Sequence, residues 1–118
     1  MSTLELIYKP ASIDRSLMQI AADIDALFER VLVIPSDPSA RLLNAMRHAA
    51  IGGGKRLRPL LACASADLFS VPRTMSLRAG LAVECIHAHS LIHDDLPCMD
   101  DDDVRRDKPT VHVAFDEA

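Results

Sequence analysis

Aromatic side chains are scarce in this sequence. Phe, Tyr and Trp together make up 3% of its 118 residues, and Trp is absent. So few aromatic rings argue against a stacking platform for single-stranded nucleic acid. The formal net charge is −4, whereas a protein that binds duplex DNA usually carries a basic excess. We therefore expect no nucleic-acid partner.

Cysteines and long apolar runs are scarce as well. The three cysteines, Cys63, Cys85 and Cys98, are widely spaced and form no CxxC pair, so the sequence predicts neither a disulfide framework nor a zinc module. This pattern favours a reducing, cytoplasmic location. No apolar stretch reaches the ~18 residues of a membrane span, and the N-terminus lacks the basic region and apolar run of a signal peptide.

The sequence does contain enough apolar residues for one core. Hydrophobic residues form 49% of the 118, which suits a single domain. Residues 1–11 predict an irregular arm. Beyond it, apolar residues recur at three- and four-residue steps, as in amphipathic helices, and no segment alternates as a strand would. The sequence therefore predicts an all-α fold.

Capping residues and helix breakers set the expected bounds of the helices. Ser12, Asp37 and Thr110 are the expected N-caps, and a proline at the first helical position follows Asp37. The fourth helix is followed by a polar loop, and the fifth helix begins after Thr110. The expected ranges are 13–31, 38–51, 59–69 and 74 to about 97 for the helices, and 100–109 for the loop.

Acidic residues are concentrated in one segment. Residues 94–107 hold seven acids and two arginines, while the rest of the chain holds 10 acids and 11 bases. Acids at this density repel one another unless a cation lies among them, and carboxylate oxygens are ligands that suit Mg²⁺. The negative end of the preceding helix dipole also favours a cation. Arg105 and Arg106 follow at once, and arginine binds phosphate in bidentate fashion.

The acidic segment therefore predicts a metal–diphosphate site. The alternatives are a solvated acidic loop and a Ca²⁺ cage, although an EF-hand loop fails because it lacks the glycine at its sixth position and the closing glutamate. Asp94 and Asp100 are six residues apart, so in an unbroken helix their side chains would diverge by about 120°. Pro97 removes a helical hydrogen bond between them. We therefore expect a distorted turn over 96–99 that returns Asp100 toward Asp94.

A second segment, GGGKRLRP at 52–59, combines three glycines with three cations. It is not a P-loop, because Ala49 and Arg56 stand where that motif needs glycine and Ser or Thr. Glycines nevertheless allow close backbone approach, and the free N–H groups of the next helix favour an anion. The alternative is a glycine helix stop followed by surface bases.

One histidine has a spacing that suggests a role. His87 lies seven residues before Asp94, two turns along the same helix face, so it is predicted to point into the same site. The alternative is an ordinary core or surface histidine, which is our interpretation of His93. No nucleophile elbow is present, so a hydrolytic triad finds no support.

Together, GGGKRLRP at 52–59 and LIHDDLPCMDDDDVRRDKPTVH at 91–112 closely resemble the short-chain trans-polyprenyl diphosphate synthases, the farnesyl and geranylgeranyl diphosphate synthases. The likeness spans roughly residues 40–118. It implies an all-α helical bundle, of which residues 1–118 form the N-terminal portion of a single domain, and a homodimer at full length. The second aspartate-rich motif of these enzymes lies beyond residue 118.

The resemblance also implies an activity and a set of site residues. The enzyme would condense isopentenyl diphosphate with an allylic diphosphate, dimethylallyl or geranyl, to give farnesyl diphosphate, with geranylgeranyl diphosphate as the alternative product. Its cofactor would be Mg²⁺, for which Mn²⁺ can substitute. The implied roles are metal binding and catalysis at Asp94 and Asp100 with Asp95 beside them, isopentenyl diphosphate binding at Lys55, Arg58, His87 and Arg106, allylic diphosphate binding at Arg105, and control of chain length at His89 and Ser90.

Two other functions stay open at this point. A catalytically silent subunit could keep a prenyl-diphosphate site for binding or regulation. A terpene cyclase shares the aspartate-rich chemistry but needs no isopentenyl site. The sequence also departs from the family pattern at Asp107, where glycine is usual. If the backbone there has positive φ, aspartate tolerates it better than most residues.

Overall fold

The computed structural model describes residues 13–118, so the arm over 1–11 and the expected cap Ser12 lie outside the described residues. The described part contains five α-helices and one two-stranded antiparallel hairpin, and the all-α prediction is confirmed. In chain order the elements are α1 (Ile13–Val31), α2 (Ala40–Ala50), α3 (Leu57–Asp67), α4 (Arg73–Asp95), β1 (Val104–Arg105), β2 (Lys108–Pro109) and α5 (Val111–Ala114).

Two helix starts differ from the prediction. Helix α2 begins at Ala40 rather than at position 38, because Asp37 closes a turn first: its carboxylate accepts a hydrogen bond from the Ser39 amide at 2.8 Å. That bonding to Ser39 lowers the pKa of Asp37. Helix α3 begins at Leu57 rather than at Pro59. Proline is tolerated there because N–H groups in the first turn have no helical partner to lose.

The core is centred on one stripe of α1. Ile20, Ile24 and Phe28 are almost fully buried, and they pack with Ala50 of α2 and Cys63 of α3. Burial of each large side chain stabilises the fold by roughly 1.5–3 kcal/mol. None of the helices within residues 13–118 is long and apolar enough to cross a membrane.

Helices α3 and α4 approach closely at Gly80. A Cβ atom at this position would lie 3.1 Å from the Cα atom of Pro59. A side chain at position 80 would therefore push the two helices apart. Arg58 directly precedes Pro59, and His87 lies two turns after Gly80 along α4. The contact between Gly80 and Pro59 therefore also fixes the position of His87 relative to Arg58.

The segment after α4 contains structure that the sequence did not predict. Helix α4 ends at Asp95, and Leu96 is extended, with φ −60° and ψ 150°. The expected loop over 100–109 instead contains the β1–β2 hairpin, which pairs Arg105 with Lys108. Its two turn residues, Arg106 and Asp107, have φ of 53° and 62°. Positive φ at both positions is the type I′ geometry that matches strand twist.

Asp107 and Thr110 complete the comparison with the expected local structure. Asp107 has a positive φ, the conformation for which glycine is usual and which aspartate tolerates better than most residues. Thr110 precedes α5 in an extended conformation, as expected of an N-cap. Its hydroxyl, however, donates to the Asp102 carbonyl at 2.8 Å rather than accepting from a helix amide. Thr110 therefore anchors the acidic segment to the start of α5.

Candidate functional site

The acidic end of α4 turns back on itself. The Asp100 amide donates to the Asp94 carbonyl at 2.8 Å, and the Leu96 amide donates to the His93 carbonyl at 3.2 Å. This backbone geometry confirms the predicted turn between Asp94 and Asp100. Both residues are exposed at the same end of the helix. Their carboxylates are hard oxygen ligands of the kind that fits a magnesium ion.

A second group of ligating side chains lies nearby. The ligand atoms of Asp101, Asp103 and His112 lie within 4.8 Å of one another. The hydroxyl of Thr110 lies 3.3 Å from His112 Nδ1. Sequence reasoning did not single out His112, because the hairpin that returns it to the acidic segment left no signal in the spacing.

Asp95 occupies a different environment from Asp94 and Asp100. Its side chain is only 5% exposed, and both carboxylate oxygens accept from Arg105, at 2.9 Å from Nε and 2.7 Å from Nη2. The hydrogen bond to Asp95 raises the pKa of Arg105. The pair therefore joins the hairpin to the end of α4 and fixes the direction of the Arg105 guanidinium.

Residues 52–59, the basic segment, lie beside the middle of α4. Lys55 and Arg58 are exposed, and Arg58 Nη1 lies 3.4 Å from Nε2 of His87. Burial and the neighbouring Arg58 charge lower the pKa of His87. His87 is therefore neutral at pH 7, and its Nε2 can accept from the arginine.

Arg106 connects the two motifs. Its side chain lies directly against the backbone of Gly53 and Gly54 in the glycine loop, residues 52–54. A Cβ atom at Gly53 would lie 2.6 Å from Nη1 of Arg106, and one at Gly54 would lie 2.9 Å from Nη2. Burial, together with the charges of Arg56 and Arg105, lowers the pKa of Arg106. Like charges at this distance repel one another, so an anion bound among these arginines would be attracted to all of them.

Arg56 is the residue whose placement the sequence did not indicate. It stands among the loop cations, yet its side chain is 4% exposed and forms ion pairs with Asp25 and Glu84. No spacing rule would have found these partners, since they come from α1 and α4.

An apolar cleft runs along the face of α4 that precedes the acidic end. It encloses about 180 Å³ and includes His89 in its wall. Ser90, the other predicted chain-length position, is exposed, and its hydroxyl donates to the Ile86 carbonyl at 3.0 Å. The full lining is Phe28, Leu32, Met46, Ala50, Cys85, Ala88, His89 and Ile92.

Comparison with known proteins gives one consistent result. Residues 39–118 match the family model described as polyprenyl synthetase. The chain is 44% identical over 102 residues to farnesyl diphosphate synthase of Haemophilus influenzae, covering 86% of this chain and 35% of that protein. It is 47% identical over 103 residues to the chloroplastic geranylgeranyl pyrophosphate synthase 12 of Arabidopsis thaliana, covering 87% of this chain and 28% of that protein.

A solved structure gives the same picture. The chain superimposes on an apo crystal structure of an FPP/GFPP synthase from Zymomonas mobilis with a TM-score of 0.86 and 62% sequence identity. The match covers 87% of this chain and 37% of that one. The chain thus spans about a third of the length of the proteins it resembles.

Proposed function

Because this chain belongs to the polyprenyl synthetase family, we propose that the protein containing it is a trans-prenyltransferase. It condenses isopentenyl diphosphate with an allylic diphosphate. The observation that carries the proposal is the position of Arg105 and Arg106. Arg105 is bonded to Asp95 at the acidic end of α4, while Arg106 lies against the glycine loop beside the other cations. Two adjacent residues therefore serve two neighbouring diphosphate sites.

The acidic end of α4 would receive the allylic substrate. Asp94 and Asp100 would hold Mg²⁺, or Mn²⁺ in its place, and the bound ion supplies the positive charge that helps the diphosphate to leave. Arg105 contributes a fixed guanidinium toward the same diphosphate. Asp95, through its bidentate bond, holds Arg105 in that orientation.

The basic segment would receive isopentenyl diphosphate. Lys55, Arg58 and Arg106 provide cations around one anion, and neutral His87 adds a hydrogen-bonding nitrogen. Holding this diphosphate in place orients the double bond toward the allylic carbon. The allylic carbon–oxygen bond breaks and its electron pair leaves with the diphosphate, while the double bond forms the new carbon–carbon bond. The resulting carbocation then loses a proton to give the product.

The product would extend into the apolar cleft that His89 lines. Farnesyl diphosphate is the proposed product, with geranylgeranyl diphosphate as the alternative. Relatives of both kinds support this choice, since the chain is similar to farnesyl diphosphate synthase of Haemophilus influenzae, to geranylgeranyl pyrophosphate synthase 12 of Arabidopsis thaliana and to an FPP/GFPP synthase of Zymomonas mobilis. A homodimer, a cytoplasmic location and roles for both His89 and Ser90 in product length belong to the same proposal.

The deciding experiment removes the metal ligands. In the full-length protein, we expect Asp94→Ala and Asp100→Ala each to lower kcat by about a hundredfold or more, since metal charge acts on the leaving group. The unfolding temperature should change little, because both side chains are exposed. Asp67→Ala, which alters an exposed acid at the end of α3 away from both substrate sites, is the matched control. Wild-type condensation in EDTA would refute the proposal.

The same assay separates the other two functions. A silent binding subunit would bind isopentenyl diphosphate without forming product. A cyclase would consume an allylic diphosphate in the absence of isopentenyl diphosphate, and the cation group around Arg58 would have no role there.

A further inference from the structure

Arg56 is buried beneath the basic segment and does not belong to its exposed cations. We propose that Arg56, held by Asp25 and Glu84, is a positioning residue that sets the arrangement of Lys55 and Arg58 for a diphosphate. This inference rests on the proposed function of the basic segment. In this proposal, buried ion pairs with one residue of α1 and one of α4 hold the basic segment in place from beneath.

The contacts of Arg56 account for most of its donor groups. Nη1 donates to Glu84 Oε2 at 2.7 Å, and Nη2 donates to Asp25 Oδ1 at 2.8 Å and to the Ala50 carbonyl. The guanidinium also lies over the Phe28 ring, with its carbon 5.4 Å from the centroid. A group held by so many partners has one orientation.

The backbone of Arg56 needs this support. Its φ of 57° and ψ of 33° are left-handed, a conformation that is unfavourable for a residue with a side chain. The buried contacts of its side chain hold it there. Because this single residue lies between Lys55 and helix α3, its conformation decides how the exposed side chains of Lys55 and Arg58 diverge.

Asp25 holds both ends of the loop. Its Oδ1 accepts from the Gly52 amide at 3.3 Å and from Arg56 at 2.8 Å. The segment between Gly52 and Arg56 is therefore closed on one carboxylate. The Gly53–Gly54 backbone that Arg106 crosses lies within this closed segment, so the support extends to Arg106 as well.

Glu84 adds a charge effect to the geometric one. It lies one turn before His87 on α4, and its side chain is 4% exposed. Burial lowers the pKa of His87 and of Arg106, and the Glu84 charge acts in the opposite direction on both. The Glu84 carboxylate therefore offsets part of the repulsion among the cations that surround the proposed diphosphate site.

The test measures each substrate separately in the full-length protein. We expect Glu84→Gln to raise KM for isopentenyl diphosphate roughly tenfold, since small misplacements of binding groups have large effects. KM for the allylic diphosphate should stay within about twofold, because the Asp95–Arg105 pair is untouched. Asp25→Asn should shift the same KM in the same direction. Its side chain is 34% exposed, so this second variant is the milder one for folding.

A matched control breaks an ion pair elsewhere. Asp67→Asn removes the exposed pair with Arg73 and should change neither KM. If Glu84→Gln and Asp25→Asn lower only kcat and the unfolding temperature, or raise both KM values equally, the support is merely structural and the inference is wrong.

A binding measurement separates this inference from the proposed function. Inorganic pyrophosphate is titrated, in buffer without divalent metal, into the full-length wild-type protein and its Glu84→Gln and Asp67→Asn variants, with the arginine side-chain NMR signals as the readout. We expect pyrophosphate to bind about tenfold more weakly to Glu84→Gln than to the other two. Equal binding by all three would overturn the inference even if the full-length protein condenses prenyl diphosphates. The expected order would sustain it even if condensation failed.

Discussion

The side chain of His87 illustrates how its immediate neighbours set the chemistry of one residue. Burial and the adjacent Arg58 both disfavour the imidazolium, so the pKa of His87 falls below its ordinary value near 6.5. The unfolded chain then binds a proton at a higher pH than the folded chain does. Protonation consequently opposes folding, and the stability that neutral His87 allows is lost as pH falls below the ordinary value.

The first prediction concerns this titration. The NMR midpoint of His87 in the full-length protein should lie below the ordinary histidine value near 6.5. Saturating pyrophosphate should raise the His87 midpoint, because an adjacent anion favours the charged imidazole. Between pH 7 and pH 5, the unfolding free energy of a His87→Gln variant should fall by less than that of the wild type. A His87 midpoint at or above the ordinary value would contradict the assignment.

The second prediction concerns product length at His89. In the full-length protein, His89→Ala should move products toward longer chains, because the smaller side chain extends the apolar cleft along α4. Chromatography of the hydrolysed products gives the distribution. Met75→Ala, an exposed position at the opposite end of α4, is the control and should leave product length unchanged. An unaltered distribution for His89→Ala would mean that another part of the protein closes the cleft.

At the scale of elements, the sequence predicted the helices better than the connections between them. Apolar periodicity in α1 and α4 is long and regular, so both helices were foreseen to within a few residues. The hairpin escaped notice because its strands have two residues each, too short for alternation to register. The turn at Asp94 was foreseen, because a proline constrains its own backbone wherever it stands.

The contacts within the candidate site could be foreseen only in part. The residue types in the acidic and basic segments indicated their charge chemistry, because metals and phosphates demand particular donors. The buried partners of Arg56 depend on how three helices pack, and the pairing of Asp95 with Arg105 depends on the hairpin. Neither arrangement leaves a pattern in a single sequence.

The third prediction concerns the end of α4. Pro97→Ala restores an amide and frees the preceding Leu96 from its extended conformation, so α4 should lengthen. The Asp94 and Asp100 side chains would then diverge, and affinity for Mn²⁺ should fall roughly tenfold, as read by electron paramagnetic resonance in the full-length protein. Pro72→Ala, at the N-terminal end of the same helix, is the control and should leave Mn²⁺ affinity unchanged. Unchanged affinity in Pro97→Ala would contradict this role for the proline.

At the scale of the whole molecule, several helices present apolar side chains to solvent. Leu42 of α2 is 59% exposed, Leu61 of α3 is 57% exposed and Ile86 of α4 is 69% exposed. Soluble monomers seldom expose large apolar patches of this kind. In the proteins that this chain resembles, about two thirds of the sequence lies outside the matched region.

The fourth prediction follows from these exposed faces. The 118-residue chain on its own should self-associate at micromolar concentration and show no condensation activity, which sedimentation velocity and a product assay would measure. Leu61→Lys with Ile86→Lys should reduce association while helical content is kept, because both side chains are exposed. A monodisperse monomer, or measurable product from this chain alone, would contradict the prediction.

The hairpin constrains which sequence changes this protein can accept in evolution. Ten positions separate Asp95 from Arg105, and the tight turn then directs the very next side chain onto the glycine loop. Replacing a residue inside that interval leaves the spacing intact. Inserting or deleting one would leave the turn of the hairpin as it is but displace Arg105 from Asp95 and Arg106 from the glycine loop. Outside Pro97 and the proposed metal ligand Asp100, the segment should therefore tolerate substitutions more readily than any change of length.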